Sequence, residues 1–410
     1  MIHVEELRRI IIEDITSIPK NTQTEKVELL NAIGRVLSDD IISSINIPTS
    51  SVSAMDGYAL HSSRHNFQEN CEFVCIGESI AGKPFEGVLG SGECVRIMTG
   101  AVIPENTDCV VMQENVQREE TENKITIKLM KTQPLGNNIR REGEEVSKGL
   151  AVLKAGHCIS VTDIPLLASV GCGSVNVYKP LKVAVFSTGD ELREAGEVLQ
   201  KGQIYDSNRP TVKALLQSFP VIINDYGIIK DNPDEISRIL EKAASENDIV
   251  VTSGGVSVGD YDFLKDCVSK LGNIVQYKVA LKPGKPFVFG HLGKARYFGL
   301  PGNPLSTTIS ATLFLLPAIY QYFGVTLPKL SVKAKLGNEI KRRSGRTELQ
   351  RGFVEKDANN DWVVYTQFSQ DSHRIYQLSQ ANAFVYLPAE KAEFEKEEYV
   401  EIFPLNGKFL

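Results

Sequence analysis

Three kinds of residue recur between positions 181 and 306 at places where a fold could gather them. Lysines recur in Lys278-Val279-Ala280-Leu281-Lys282-Pro283-Gly284-Lys285. Carboxylates occur in Thr188-Gly189-Asp190-Glu191, in Lys230-Asp231-Asn232-Pro233 and in Gly259-Asp260-Tyr261-Asp262. Small residues and prolines make Ser253-Gly254-Gly255 and Leu300-Pro301-Gly302-Asn303-Pro304-Leu305-Ser306. Ammonium groups and free backbone N–H groups neutralise oxyanions, and a helix N-terminus adds to the same field. Carboxylates hold a divalent cation, and Mg²⁺ needs only one or two of them because it keeps water and phosphate oxygens as its other ligands. Each feature has a plainer reading alone: Asp231 and Asn303 as helix N-caps ahead of proline, Lys282 and Lys285 as solvated charges on a hairpin. Gathered at one rim, they are the equipment for a phosphorylated, nucleotide-like ligand together with Mg²⁺. The Gly-Gly-x-Ser-x-Gly run is no dinucleotide fingerprint, since no G-x-G-x-x-G opens a helix there.

The elements needed to bring these residues together can be read from periodicity. From residue 181 compact apolar strands alternate with helices: strands at 182–186, 221–229 and 248–252, helices at 208–218, 233–245 and 261–271. Further strands fall near 275–281, 286–290 and 296–300, and a longer helix starts at Pro304. Such alternation implies a parallel sheet covered on both faces, with ligands beyond the carboxyl ends of its strands. All the chemistry-bearing segments above follow strand ends. Residues 3–18 have helical spacing, and 25–36 reads as a second helix. Residues 47–141 and those after Pro328 are β-rich, with short runs separated by turns.

One further stretch stands apart. Ser53-Ala54-Met55-Asp56-Gly57-Tyr58-Ala59 surrounds a single carboxylate with small residues. The Asp-Gly pair reads as a turn whose glycine supplies a positive φ ahead of a strand. Composition bounds what any of this can do. The 410-residue chain is 42% apolar with a net charge of −6, which argues against a nucleic-acid surface. Its seven cysteines are scattered, with no C-x-x-C pair, and suit a reducing cytoplasm rather than a disulfide framework or a zinc site. The amino terminus is acidic rather than signal-like, and the longest apolar run, 311–320, is too short to span a membrane.

Eight stretches, in order along most of the chain, carry a resemblance: SAMDGYA at 53–59, RIMTGA at 96–101, NIRREGEE at 138–145, STGDEL at 187–192, GQIYDSN at 202–208, SGGVSVGDYD at 253–262, KPGKP at 282–286 and LPGNP at 300–304. With them the sequence closely resembles the molybdopterin molybdenumtransferases of molybdenum-cofactor biosynthesis, the family that includes the E-domain of gephyrin. The resemblance implies a multidomain α/β plus β protein. Its parts are a linking and dimerisation piece from 1–46 and 142–181, a β-rich domain at 47–141, a three-layer α/β molybdopterin-binding domain at 182–327, and a small C-terminal β-barrel-like domain at 328–410. It implies a cytoplasmic homodimer that takes adenylylated molybdopterin, inserts molybdate and releases AMP with help from Mg²⁺. The adenylyltransferase of the preceding step is an implied partner; nucleic acid and membrane are not.

On that resemblance Asp231 and Asp262 match metal-linked positions, with Asp190 and Glu191 close by. Lys278, Lys282 and Lys285 match cationic positions, and Ser253, Gly254 and Gly255 match the ligand-binding turn. Pro301, Pro304 and Ser306 shape the anion pocket, and Arg351 and Ser372 match polar positions of the C-terminal domain. Asp56, Thr99 and Glu145 match positions outside the α/β domain, and Asp56 with Thr99 is expected to complete the partner subunit's site. The family often has aspartate where this chain has Glu145. Two other functions compete: the adenylylation step itself, and a non-catalytic gephyrin-like scaffold. Retention of Asp231, Asp262, Lys282 and Lys285 favours catalysis.

Overall fold

The structure, a computed structural model, describes residues 1–17, 23–64, 67–122, 124–255, 263–325 and 331–405. The chain forms two compact units. One comprises Val27–Ile33 and Asp39–Val175; the other comprises Met1–Lys26, Gly34–Ser38 and Asn176–Leu410.

The smaller unit is built on a six-stranded sheet of β1 (Gly57–Leu60), β2 (Glu72–Ser79), β3 (Glu93–Ile97), β4 (Cys109–Met112), β5 (Val116–Thr121) and β6 (Lys124–Leu129). Its order is β4-β1-β3-β2-β6-β5, and only the β2–β3 pair is parallel. Alternate side chains serve two cores. Tyr58, Leu60, Phe73, Val111 and Ile127 pack on one face, and Ala59, Val95, Ile97 and Val110 on the other. A central strand covered on both faces has no solvated side, which is why all four residues of β1 are buried.

The larger unit holds a second six-stranded sheet: β7 (Leu181–Thr188), β8 (Val221–Ile229), β9 (Ile249–Ser253), β10 (Asn273–Tyr277), β12 (Val288–Leu292) and β13 (Ala295–Leu300). The intervening β11 (Leu281–Lys282) belongs elsewhere. The order is β8-β7-β9-β13-β12-β10. The first four strands are parallel, but β12 runs antiparallel to β13 and β10 antiparallel to β12, so the expected parallel sheet carries an edge of antiparallel pairs. The physical reason is local: Gly293 and Lys294 join β12 to β13 by a tight turn, with no crossover helix. Helices α3 (Pro233–Glu246) and α4 (Phe263–Leu271) cover one face through Ile236, Leu240, Leu264 and Val268. The other face carries α2 (Asn208–Leu216) and the long helix made of α5 (Pro304–Ser310), a π-helical turn at Ala311–Leu315 and α6 (Leu316–Tyr322). Helix α1 (Val4–Ser17) packs on α6, and its Asp14 bonds His291 Nε2 at 2.8 Å and Arg296 Nε at 2.6 Å. Residues 1–17 thus lie in the same compact unit as the α/β layers, not with 142–181.

The C-terminal part is a closed five-stranded barrel of β14 (Val332–Leu336), β15 (Thr347–Lys356), β16 (Trp362–Tyr365), β17 (Ala383–Leu387) and β18 (Tyr399–Pro404). Pairing of β15 with β17 completes the circle around Leu336, Val354, Val364, Val385 and Ile402. Closure leaves no free edge except beside β15, and there β11 pairs in parallel, Leu281 opposite Thr347 and Lys282 opposite Glu348. The helix expected over 25–36 is instead a strand, Thr24–Glu28, followed by a single 3₁₀ turn, Leu29–Ala32. The strand half-buries alternate residues, Glu25 and Val27, a period of two, and the β-branched Thr24 and Val27 favour the extended backbone.

The Asp56-Gly57 pair also needs its reason corrected. Residues 54–56 do bend into β1, but Gly57 is not among the positive-φ glycines. Glycine is required because a Cβ there would lie 1.8 Å from the Val111 carbonyl oxygen of the neighbouring strand. Gly57→Ala must therefore push β1 and β4 apart. It is expected to destabilise the protein by about 2–3 kcal/mol, read from the urea midpoint at unchanged slope.

Candidate functional site

Four strands of the larger unit's sheet end in register: Thr188 lies opposite Ile229, Ser187 opposite Ser253, and Ser253 opposite Leu300. Immediately beyond, Gly254 and Gly255 adopt φ of 86° and 63° and wrap against Thr188. A Cβ on Gly254 would meet the Thr188 carbonyl oxygen at 2.6 Å, and one on Gly255 would meet Thr188 Oγ1 at 2.8 Å. Positive φ and close approach both demand glycine here. The loop after β13 packs alongside, with Ser253 Oγ donating to the Pro301 carbonyl at 3.4 Å and Asn208 Nδ2 to the Gly302 carbonyl at 2.7 Å. Asn303 caps α5 by accepting from Leu305 N–H. Pro304 is half-buried at the start of α5, and Ser306 is buried within it.

This cradle leaves polar atoms unsatisfied. Ser187 Oγ, Thr188 Oγ1 and Asn208 Oδ1 are buried and have no hydrogen-bond partner among the described residues. A buried hydroxyl or amide without a partner costs about 1–3 kcal/mol, so such atoms concentrated at one rim mark a place that a polar ligand completes.

Carboxylates gather on the β7 side of the rim. Asp190 and Glu191 are exposed, and Asp231, half-buried after β8, donates its backbone N–H to Asp190 Oδ1 at 3.3 Å. Asp231 is not the helix cap that its place before Pro233 suggested. Asn232 caps α3 instead, accepting from Asp234 and Glu235 N–H at 3.0 Å each. Burial, then the charges of Asp190 and Glu191, push the Asp231 carboxyl above its usual range. Crowded carboxylates of this kind are what a divalent cation relieves. Among the described residues no group of three or more His, Cys, Asp or Glu is set to hold a metal ion. Asp262, the other expected metal residue, lies outside the described residues.

The lysines occupy the opposite end of the sheet and its junction with the barrel. Lys278 has a positive φ of 70°, and its ammonium sits 4.9 Å from the centre of the Tyr277 ring. Lys285 is exposed. Lys282, also exposed, precedes a cis bond to Pro283 and places Nζ 3.0 Å from Oε1 of the buried Glu348. It helps to line a cleft of about 570 Å³ whose other walls include Lys341, Arg342, Arg343, Arg346, Gln350 and Gln370. Sequence reading missed these barrel cations and Glu348. The available signal was Lys341-Arg342-Arg343-Ser344-Gly345-Arg346, four cations in six residues. Arg351, expected to meet substrate, is 0% exposed. Its guanidinium donates from its two terminal nitrogens to the carbonyls of Arg374, Ser369 and Asp371, so it clamps the 369–374 segment, while its Nε is buried with no partner among the described residues. Ser372 lies in that segment as a half-buried turn residue.

In the smaller unit Asp56 and Thr99 do meet. Thr99 N–H and Oγ1 both donate to Asp56 Oδ1, at 2.7 and 2.8 Å. Those two bonds, with a smaller contribution from the Arg96 charge, hold the Asp56 carboxyl below the usual range. Arg96 lies over the Tyr58 ring at 5.0 Å, and Glu145 is exposed.

A three-layer α/β domain with an anion cradle, joined to a closed barrel and a separate β-rich unit, defines a class of molybdopterin-handling proteins. Residues 2–171 match the MoeA N-terminal region (domain I and II), 184–321 a probable molybdopterin binding domain, and 333–405 the MoeA C-terminal region (domain IV). The chain belongs to the molybdopterin molybdenumtransferase family. It is 41% identical to the molybdopterin molybdenumtransferase of Haemophilus influenzae over 410 residues, covering 99% of both chains. It is 32% identical to gephyrin of Dictyostelium discoideum, covering 99% of this chain but 63% of that one. A crystal structure of the molybdopterin biosynthesis MoeA protein of Pyrococcus horikoshii superposes with a TM-score of 0.85 at 29% identity, covering 99% of this chain and 100% of that one.

The Asp231 carboxylate makes a prediction of its own. A carboxyl whose folded pKa is raised destabilises the fold when charged, and that penalty fades as pH falls through the raised pKa. Asp231→Asn is expected to raise Tm by about 2 °C at neutral pH in a chelating buffer, with a smaller gain at pH 5, in a thermal unfolding series.

Proposed function

We propose that this chain is a molybdopterin molybdenumtransferase, inserting molybdate into adenylylated molybdopterin with release of AMP. The observation that carries this reading is the set of unpartnered buried polar atoms in the glycine-turn cradle, flanked by carboxylates on one side and a cationic cleft on the other. An adenylylated, phosphate-bearing substrate can supply both donors and acceptors to Ser187, Thr188 and Asn208. Ser253, Gly254, Gly255, Pro301, Pro304 and Ser306 shape the walls that hold it. The adenylate comes from a preceding adenylylating enzyme, which is the natural partner for its transfer.

Asp190 and Asp231, with Glu191 and Asp262, are the residues that would hold Mg²⁺. When bound, the ion supplies charge neutralisation at the phosphate oxygens. The protein's own part is positional: Lys278, Lys282 and Lys285 draw in molybdate and phosphate, and their fixed charges oppose the charge on the leaving AMP. Asp56, kept ionised by Thr99, and Glu145 contribute from the β-rich part. Arg351 supports this arrangement by holding Ser372's loop in place. We further propose the division 1–46 plus 142–181, 47–141, 182–327 and 328–410, amended by the packing of 1–17 on the α/β layers, and a cytoplasmic homodimer. The seven unpaired cysteines support a reducing compartment.

With purified protein, adenylylated molybdopterin, molybdate and Mg²⁺, AMP should appear stoichiometrically with molybdenum cofactor. Lys282→Ala is expected to slow its release by about 100-fold, measured by chromatography of the nucleotide. Consumption of ATP and molybdopterin without such release would assign the adenylylation step instead. The dimer is tested by mixing inactive Asp56→Ala and Lys282→Ala chains. Sites shared between subunits give back about a quarter to a half of the activity, depending on how the chains redistribute. No recovery would mean that each subunit acts alone.

A further inference from the structure

The β11–β15 pairing does something that the sheet of the α/β domain does not need. It carries Lys282 out of that sheet and lays it beside Glu348 of the barrel, register partner to register partner. Glu348 is a carboxylate with a side chain 4% exposed, facing a lysine whose side chain is 49% exposed. Its Oε1 accepts from Lys282 Nζ at 3.0 Å and from Gln350 Nε2 at 3.2 Å. Its Oε2 lies 3.8 Å from Arg342 Nη1. A carboxylate buried to this degree must be paired, and here its partners all belong to the wall of the cationic cleft.

We propose that Glu348 is the positioning residue for Lys282 in oxyanion capture. The inference rests on reading the cleft as the oxyanion end of the site. A lysine ammonium has three N–H donors on a flexible stem, and left alone it samples many rotamers. Binding one donor to a buried carboxylate fixes the ammonium at the cleft wall and leaves two donors for a tetrahedral dianion. Both terminal nitrogens of Arg342 already donate to carbonyls, those of Arg346 and Pro388, and its Nε is buried. Lys282 is therefore the cation whose direction Glu348 decides. A simple counter-charge would act in the opposite sense, since deleting it makes the cleft more positive and binds an anion more tightly.

The two roles are separated by Glu348→Gln, which keeps the shape and removes the charge. Molybdate affinity is measured by calorimetry, and the steady-state constants for molybdate and for adenylylated molybdopterin by AMP release. Positioning predicts a KM for molybdate raised about tenfold, with the matching loss of calorimetric affinity and an unchanged KM for the adenylate. Unchanged or tighter molybdate binding overturns the proposal, and so does a parallel rise of both KM values, which marks a general structural defect. If Glu348→Gln does not fold by thermal unfolding, Glu348→Asp takes its place. It keeps the charge but shortens the reach, and an intermediate rise of about threefold is expected. Wild-type molybdate affinity in that variant overturns the proposal. Lys282→Ala with wild-type molybdate affinity would instead show that the cleft is not the oxyanion end, and the underlying reading would fall with it.

Discussion

The parallel strands β7, β9 and β13 are buried on both faces, and this constraint decides where chemistry can happen. Val183, Ala184, Val185 and Phe186 have no solvent side, and neither do Ile249, Val250 and Val251. Helices close one face through Ile236, Leu240 and Leu264 and the other through Val212, Leu305 and Ile309. Only the strand ends remain, so Thr188, Ser253 and Leu300 deliver the loops of the glycine-turn cradle. Close packing beneath makes that rim stiff, and a stiff rim can keep buried hydroxyls waiting without partners.

Charge is then sorted by distance along the same rim. Acids collect beyond β7 and β8, and bases collect near β11 and the barrel. Mixing them would pair each acid with a base and leave no net field for either a cation or an anion. In the basic region Glu348 is buried in the cleft wall against Lys282 and Arg342, and Glu339 pairs with Lys341 at 3.5 Å. Segregation of this kind crowds like charges, and at Asp231 burial first and then the charges of Asp190 and Glu191 push the carboxyl pKa up.

Much of this was readable from residue types. Apolar strands at 182–186 and 248–252, glycine turns after them and proline after the caps have strong local causes, and the structure has each. What escaped had non-local causes. The helix expected at 25–36 gave way because a short apolar-periodic run fits either period. The antiparallel edge depended on the tight turn at Gly293-Lys294. The packing of Arg351 was not readable because its partners, the carbonyls of residues 369, 371 and 374, lie 18 to 23 positions away along the chain. The basic wall escaped because Lys282 and Arg342 belong to different folded parts, brought together at this wall by the β11–β15 pairing. Asp262 falls outside the described residues.

Asp56 shows how one local geometry can serve a distant purpose. Its carboxylate is fixed by two donors from Thr99 on a single oxygen, which strongly favours the ionised form. A carboxylate held below its ordinary pKa is a weak proton acceptor, so general-base work is the task that its surroundings suit least. It is well suited to hold a donor or a cation, because it stays charged and its second oxygen has a set direction. The glycine that follows adds to this precision. With Val111 O where a Cβ would stand, β1 and β4 approach closely, and the bend at 54–56 has little room to shift. The motif's small residues therefore matter less for turning the chain than for fixing where one negative oxygen points.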